Sequence, residues 1–225
     1  MVEAVVFDLD GVLIQSEEVW DRVRRDLARE SGRPWPDEAT LAMMGMSSPE
    51  WSRYMHDEVG IGASPAEINV AVVRGVTGTY RTELPWIPGA REAVRRVGER
   101  WTLGLATSSN REIVDLVLEL GGLGGCFAVT VSSEEVAAGK PSPDVYLEAA
   151  RRLGALPAAC VAVEDSTNGL RAAAAAGMGV IALPNPAHPP TPEALGLAGV
   201  VLDSADGLTP EAVEAAAGSA GRDGT

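Results

Sequence analysis

Cysteine and histidine are scarce in this chain of 225 residues, with two of each. Cys126 and Cys160 stand among small or apolar residues. They read as buried free thiols, which fits a reducing compartment and excludes a disulfide framework. His56 and His188 have no carboxylate or histidine at ligand spacing, which leaves them to surface or loop roles. No apolar run reaches the ~18 residues of a membrane span, and no basic segment precedes the first apolar stretch, so no signal peptide is expected and a cytoplasmic location is. Basic residues are in deficit: 18 Lys and Arg face 32 Asp and Glu, a net charge of −14. That balance disfavours nucleic acid and anionic membranes as partners. A phosphate-bearing substrate would need local cations to offset it. Internal repeats are absent, and the alanine-rich segment 172–176 is the one stretch of low complexity.

What is present is an ordinary soluble composition, 46% hydrophobic, in a chain long enough for one or two domains with a sizeable core. The most informative segment is Val5-Val6-Phe7-Asp8-Leu9-Asp10-Gly11-Val12-Leu13, read as a buried parallel strand. Asp8 and Asp10 share a face at i and i+2. Ligands of open α/β sheets gather at the carboxyl ends of strands, so the pair marks the mouth of a site. Adjacent carboxylates repel and imply a cation, a shared proton or both.

Ser16 reads as an N-cap, followed by Glu17 and Glu18 and by Val19, Trp20, Val23 and Leu27 at helical spacing. Pro34-Trp35-Pro36 breaks that helix, and residues 37–84 read as further helices at 41–44, 51–55 and 65–82. From Pro88 the pattern alternates. Helices are expected at 89–97, 111–120, 143–153, 168–176 and 209–217, and strands at 102–106, 127–131, 160–163, 180–183 and 200–202. The tail 218–225 is expected to fray. This order predicts an α/β fold: a parallel sheet with helices on both faces, built from 1–14 and 88–217, and a small α-helical domain at 15–87 inserted into it. The crossings at Ile14-Gln15 and 85–88 are candidate hinges.

Four polar clusters close strands or sit in Gly/Pro loops: Asp8 with Asp10, Thr107-Ser108-Ser109-Asn110, Gly139-Lys140-Pro141-Ser142-Pro143, and Glu164-Asp165-Ser166. If the strands are adjacent, all four meet at one edge. The carboxylates suit a hard divalent cation bound through oxygen, most naturally magnesium with a substrate phosphate. The hydroxyls, backbone amides at a helix start and Lys140 suit a phosphate. Asn110 reads as a helix cap, and Ser166 and Asn168 as openers of helix 168–176.

Asp-Leu-Asp-Gly-Val-Leu at 8–13, Ala-Thr-Ser-Ser at 106–109, Gly-Lys-Pro-Ser-Pro-Asp-Val-Tyr at 139–146 and Glu-Asp-Ser-Thr-Asn-Gly at 164–169 resemble, in order and spacing, the four motifs of the haloacid dehalogenase superfamily. The resemblance covers nearly the whole chain and is nearest to the phosphatase and β-phosphoglucomutase-like branch. It implies a Rossmann-like core with a helical cap domain. It implies Asp8 as nucleophile, forming an aspartyl-phosphate, and Asp10 as acid and then base. It implies Mg²⁺ held by Asp8, the carbonyl of Asp10 and Asp165, with Glu164 as ligand or supporting partner. Thr107, Ser108 and Ser109 would bind the phosphoryl group, with Lys140 balancing its charge.

Asp10 disfavours the dehalogenases, which lack a second aspartate. The phosphomutases carry a cap histidine where this chain has Trp20, an arginine after a Gly-Val-Ser turn where it reads Gly45-Met46-Ser47-Ser48, and a lysine where it has Val76. Those departures favour hydrolysis of a small phosphorylated metabolite, with phosphomutase as the alternative and a non-catalytic phospho-ligand binder third. Gln15 replaces an acidic residue and is read as structural. Trp20, Met44, Met46, Ser47, Ser48 and Trp51 are the candidates for lining the cap side of the cleft, apolar with two hydroxyls. Such a lining suits a modest organic group rather than a second phosphate. A monomer is expected.

Overall fold

The computed structural model describes residues 1–218; of the tail expected to fray, all but Gly218 lies outside the described residues. Six parallel strands form one sheet: β1 (Ala4–Phe7), β2 (Thr102–Thr107), β3 (Val129–Ser132), β4 (Cys160–Glu164), β5 (Gly179–Ala182) and β6 (Val200–Val201). Their spatial order is β3-β2-β1-β4-β5-β6. β1 is central, with Phe7 opposite Leu105 on one side and Val163 on the other. The chain builds outward from β1 to β3 and then crosses to β4, so the topological switch point falls between β1 and β4.

Period-2 alternation divides the core between two faces. Val5, Phe7, Leu103, Leu105, Val161 and Val163 pack on one face, while Ala4, Val6, Ala106, Ala162 and Ala182 pack on the other. The first face meets α5 (Ala90–Gly98), α6 (Arg111–Gly121) and α10 (Pro210–Ala217). The second meets α7 (Asp144–Leu153) and the alanine-rich α8 (Thr167–Ala175), whose small side chains let it lie close to small strand residues. A four-residue helix, α9 (Pro192–Leu195), is too short to register as a helical period in sequence.

Between β1 and α5 come α1 (Glu17–Glu30), α2 (Ala39–Met43), α3 (Ser48–Asp57) and α4 (Pro65–Thr82). α4 packs against α1 and α3, and also against α6 beside the sheet. Trp51, Met55, Ile68, Val72, Val76 and Tyr80 are buried in this insert and belong to the same apolar cluster as the first sheet face. The two crossings pair with each other: Gln15 N donates to Pro85 O at 2.7 Å, and Ile87 N to Leu13 O at 3.0 Å. No helix among the described residues is long and apolar enough to cross a membrane.

The first strand is shorter than its apolar run predicts. It ends at Phe7, and the chain curls back through bonds from Leu13 N and Ile14 N to Leu9 O. Gly11, at φ +77°, makes that curl possible. Leu9, Val12, Leu13 and Ile14 stay buried, so hydrophobicity continues where extended structure does not. Cys160 is buried and Cys126 half-buried, both as free thiols. Burial raises the Cys160 thiol to about 11, which makes it a packing residue.

Candidate active site

Asp8 follows β1 directly, and its amide still donates to Val163 O at 3.0 Å. Glu164 ends β4 and Asp165 follows it, so the switch point puts three carboxylates side by side. Asp8 and Asp165 are 6% exposed, Lys140 5% and Glu164 0%, so their charges act outside bulk solvent. Lys140 comes from the loop before α7. Its Nζ lies 2.9 Å from Asp8 Oδ1 and 2.5 Å from Glu164 Oε1, and donates to Ala106 O at 3.1 Å. The peptide joining it to Pro141 is cis.

Glu164 is held from all sides. Oε1 also accepts from the Tyr146 hydroxyl at 2.8 Å, and Oε2 accepts from the amides of Asp165 and Ser166 and from Ser166 Oγ. Its carboxylate lies against Gly169, where a Cβ would meet it at 1.9 Å. Gly11 serves Asp165 in the same way, since a Cβ there would lie 1.9 Å from Asp165 Oδ2. Gly169→Ala is therefore expected to displace Glu164 and cost about 1–3 kcal/mol. A thermal melt several degrees below wild type checks this, and an unshifted melt contradicts it.

One ammonium pairs with two of the three buried carboxylates. Burial pushes the Asp8 carboxyl up to about 7, against the pull of Lys140 and with the help of Glu164 and Asp10. Burial, Glu164 and Asp8 likewise raise Asp165 well above the usual range. Burial alone would lower Lys140, but Asp8 and Glu164 override it and keep it charged. No described side chain bonds the Asp165 carboxylate. Oxygens of Asp8, Glu164 and Asp165 all lie within 4.8 Å of one another. An all-oxygen set with excess negative charge fits a hard divalent cation. The carboxylate of Asp10 is outside that group.

Asp10 is held elsewhere. Ser109 Oγ donates to its Oδ2 at 2.6 Å and Thr107 Oγ1 at 3.4 Å, while Oδ1 is buried with no described partner. Thr107, expected against the phosphoryl group, is instead fully buried; its hydroxyl also accepts from Ser109 N, and it does not line the cleft. Ser108 and Ser109 do line it.

The cleft above these groups has a volume of about 610 Å³, within the range of small-molecule sites. Trp20, Met44, Met46 and Trp51 line its insert side. Ser47 and Ser48, expected there, do not. Ser47 caps α3, with Oγ and N both bonded to Glu50, and Ser48 Oγ donates to Asn110 Oδ1 at 2.8 Å. Asn110 does not cap α6 through its side chain. Its Nδ2 bonds Asn69 and Glu134, which ties the insert to the core. Ser166 caps α8 through Gly169 N, as its position predicts. Ser16 sits at the N-cap of α1, but its hydroxyl makes no capping bond. His56 bonds loop carbonyls, with Nδ1 2.9 Å from Ala63 O, while His188 lies in a loop at the cleft edge.

Sequence reasoning missed Arg24. It is 9% exposed and lines the cleft, with Cζ 5.0 Å from the Trp20 ring centre and 4.9 Å from that of Trp51. A signal existed: Trp20, Arg24 and Ala28 recur every four residues on the buried stripe of α1.

The family profile described as haloacid dehalogenase-like hydrolase matches residues 2–177. Hexitol phosphatase B of Escherichia coli (strain K12) is 35% identical over 213 residues, 92% of this chain and 94% of that protein. The phosphorylated carbohydrates phosphatase of Thermotoga maritima is 33% identical over 179 residues, 79% of this chain and 82% of that protein. The crystal structure of CbbY from Rhodobacter sphaeroides in complex with phosphate superposes with a TM-score of 0.84, covering 95% of this chain and 100% of that one at 28% identity.

Proposed function

The chain belongs to the haloacid dehalogenase-like hydrolases, and from that premise we propose that it is a divalent-cation-dependent phosphomonoesterase acting on a small phosphorylated carbohydrate through Asp8. The observation that carries the reading is the position of Lys140, buried between Asp8 and Glu164 on the floor of the cleft. An attacking carboxylate must approach an anionic phosphoryl group, and fixed cations are what make that approach feasible. The names of the two phosphatase relatives support the substrate class.

Asp8 is proposed to bond to phosphorus as the substrate's ester oxygen leaves. Asp10 has one oxygen fixed by Ser109 and one free. The free oxygen gives a proton to that leaving oxygen, then takes one from the water that hydrolyses the aspartyl-phosphate. Ser108 and Ser109 offer donors to the phosphoryl oxygens. Asp8 and Asp165 would hold Mg²⁺, which would neutralise charge on the phosphoryl group when bound. Glu164 already accepts from five donor groups, and is assigned the positioning of Lys140 and Asp165. The insert acts as a cap domain, with the paired segments 13–15 and 85–87 as its hinge. Closure over the cleft would exclude water.

Two observations count against the phosphomutase alternative. Val76 is fully buried in the packing of α4, and the Ser47 and Ser48 hydroxyls are bonded away from the cleft.

The test is phosphate release from a panel of phosphomonoesters with Mg²⁺ and with chelator. Cation-dependent release from sugar and sugar-alcohol phosphates is expected. Release indifferent to chelation refutes the cation requirement, and no release from any ester refutes the hydrolase. A pH effect follows from the same charges. Asp8 is raised to about 7, so in the cation-free protein its stabilising contribution is present below the ordinary carboxylate range and lost as pH rises through about 7. Protons compete with the cation for this carboxylate. The rise in melting temperature on adding Mg²⁺ is therefore expected to be full above pH ~7 and to shrink below it; a rise that grows towards acid pH contradicts the assignment.

A further inference from the structure

The cleft is lined by two formal cations among the described residues, Lys140 and Arg24. Lys140 is committed to Asp8 and Glu164 on the sheet side. Arg24, on the insert side, makes no described hydrogen bond or ion pair, although the negative charges of Asp21 and Asp10 act on it. No described acceptor bonds its guanidinium, and Nε is buried without a partner. The nearby acid Asp21 is already taken: Oδ2 pairs with Arg25 at 2.6 Å, and Oδ1 accepts from Thr40 at 2.5 Å. Glu17 accepts from the Gln15 side-chain amide at 3.1 Å. Burial lowers the Arg24 pKa to about 10, so the group stays cationic at neutral pH. The rings of Trp20 and Trp51 lie against it, a favourable setting for a desolvated guanidinium. They also hold the side chain in place, so little freedom is lost when a ligand binds.

A buried, immobilised and unpaired guanidinium at a cleft wall is incomplete until an acceptor arrives. Its forked donors match the paired oxygens of a carboxylate or phosphate. We propose that Arg24 binds a second anionic group of the substrate, at the end remote from the phosphoryl group that Asp8 attacks. It thereby selects phosphorylated sugar acids or sugar bisphosphates over neutral sugar phosphates. The inference rests on the hydrolase reading and narrows its substrate. It also replaces the apolar, hydroxyl-bearing lining expected from sequence with one that carries a fixed positive charge.

The test compares kcat and KM of wild type, Arg24→Gln and Arg24→Lys on three esters of equal carbon count: a hexitol monophosphate, a hexonate monophosphate and a hexose bisphosphate. Wild type is expected to favour an anion-tailed ester over the hexitol ester by on the order of tenfold to a hundredfold in kcat/KM. The preferred ester tells carboxylate from phosphate. In Arg24→Gln the ratio falls to about one, chiefly through KM, and Arg24→Lys keeps part of it. A structural role would lower all three esters together and leave the ratio intact, which overturns the inference. So does a wild-type preference for the hexitol ester. Calorimetric titration of Asp8→Asn, with and without Arg24→Gln, by the same esters reads binding without turnover. An anion-tail preference in Kd that disappears with Arg24 sustains the inference even where wild type releases no phosphate, in which case the hydrolase reading alone fails. Equal affinities overturn the inference, while turnover by wild type leaves the hydrolase standing.

Discussion

Asp8→Asn is expected to lower kcat by roughly four orders of magnitude or more while raising the melting temperature at pH above ~7. The two effects share one cause. Asp8 is buried against Glu164 and Asp165, and burial raises its carboxyl to about 7. Above that pH its charge is a cost to the cation-free fold. Asparagine keeps the shape and removes the charge, so the repulsion is relieved. It also removes the proposed nucleophile, and no other described carboxylate pairs with Lys140 except Glu164, which its donors hold in place. A loss of stability equal to the loss of activity would point to a structural carboxylate. Retained turnover would remove Asp8 from the chemistry.

Lys140→Met is expected to damage both properties. Its Nζ is the ammonium shared by Asp8 and Glu164, and it also donates to Ala106 O. Without it, Asp8 and Glu164 lose the cation they share in a buried setting, which costs about 3–5 kcal/mol. The same ammonium offsets charge as phosphorus is attacked, so kcat is expected to fall by about two to three orders of magnitude. Lys140→Arg is not expected to rescue either property, because a planar fork cannot replace a compact ammonium between two carboxylates. Equilibrium unfolding and kcat near neutral pH read the two effects. Wild-type stability in Lys140→Met would contradict the electrostatic account.

Asp8 and its acidic neighbours were visible in the sequence because they end strands, and Lys140 because it stands in a Gly/Pro loop. An apolar run followed by a carboxylate, repeated at Phe7-Asp8 and Val163-Glu164-Asp165, places its polar residue at the sheet's carboxyl edge whatever the details of packing. Strand–helix alternation from Pro88 onward then brings those ends together. What sequence could not convey was which partner each hydroxyl would choose. Thr107, Ser47 and Ser48 lie in the segments expected, yet their side chains answer to Asp10, Glu50 and Asn110. The last of these contacts joins positions 62 apart in the chain, beyond any local pattern. Arg24 was hidden for a different reason. In Arg22-Val23-Arg24-Arg25-Asp26 it looks like one more charge on a solvated face. Only its place four residues after Trp20 and four before Ala28 sets it on the buried stripe. The extent of the first strand was misread because the curl at Gly11 buries its apolar residues as thoroughly as a strand would.

The most direct test of the central claim is where the phosphoryl group resides during turnover. Wild-type protein quenched in acid while turning over a competent ester with Mg²⁺, then digested and mapped by mass spectrometry, is expected to carry one phosphoryl group on the peptide containing Asp8. Asp8→Asn is expected to carry none and to release no phosphate. Turnover that continues in Asp8→Asn, with no phosphoryl group on that peptide in either protein, would contradict the account.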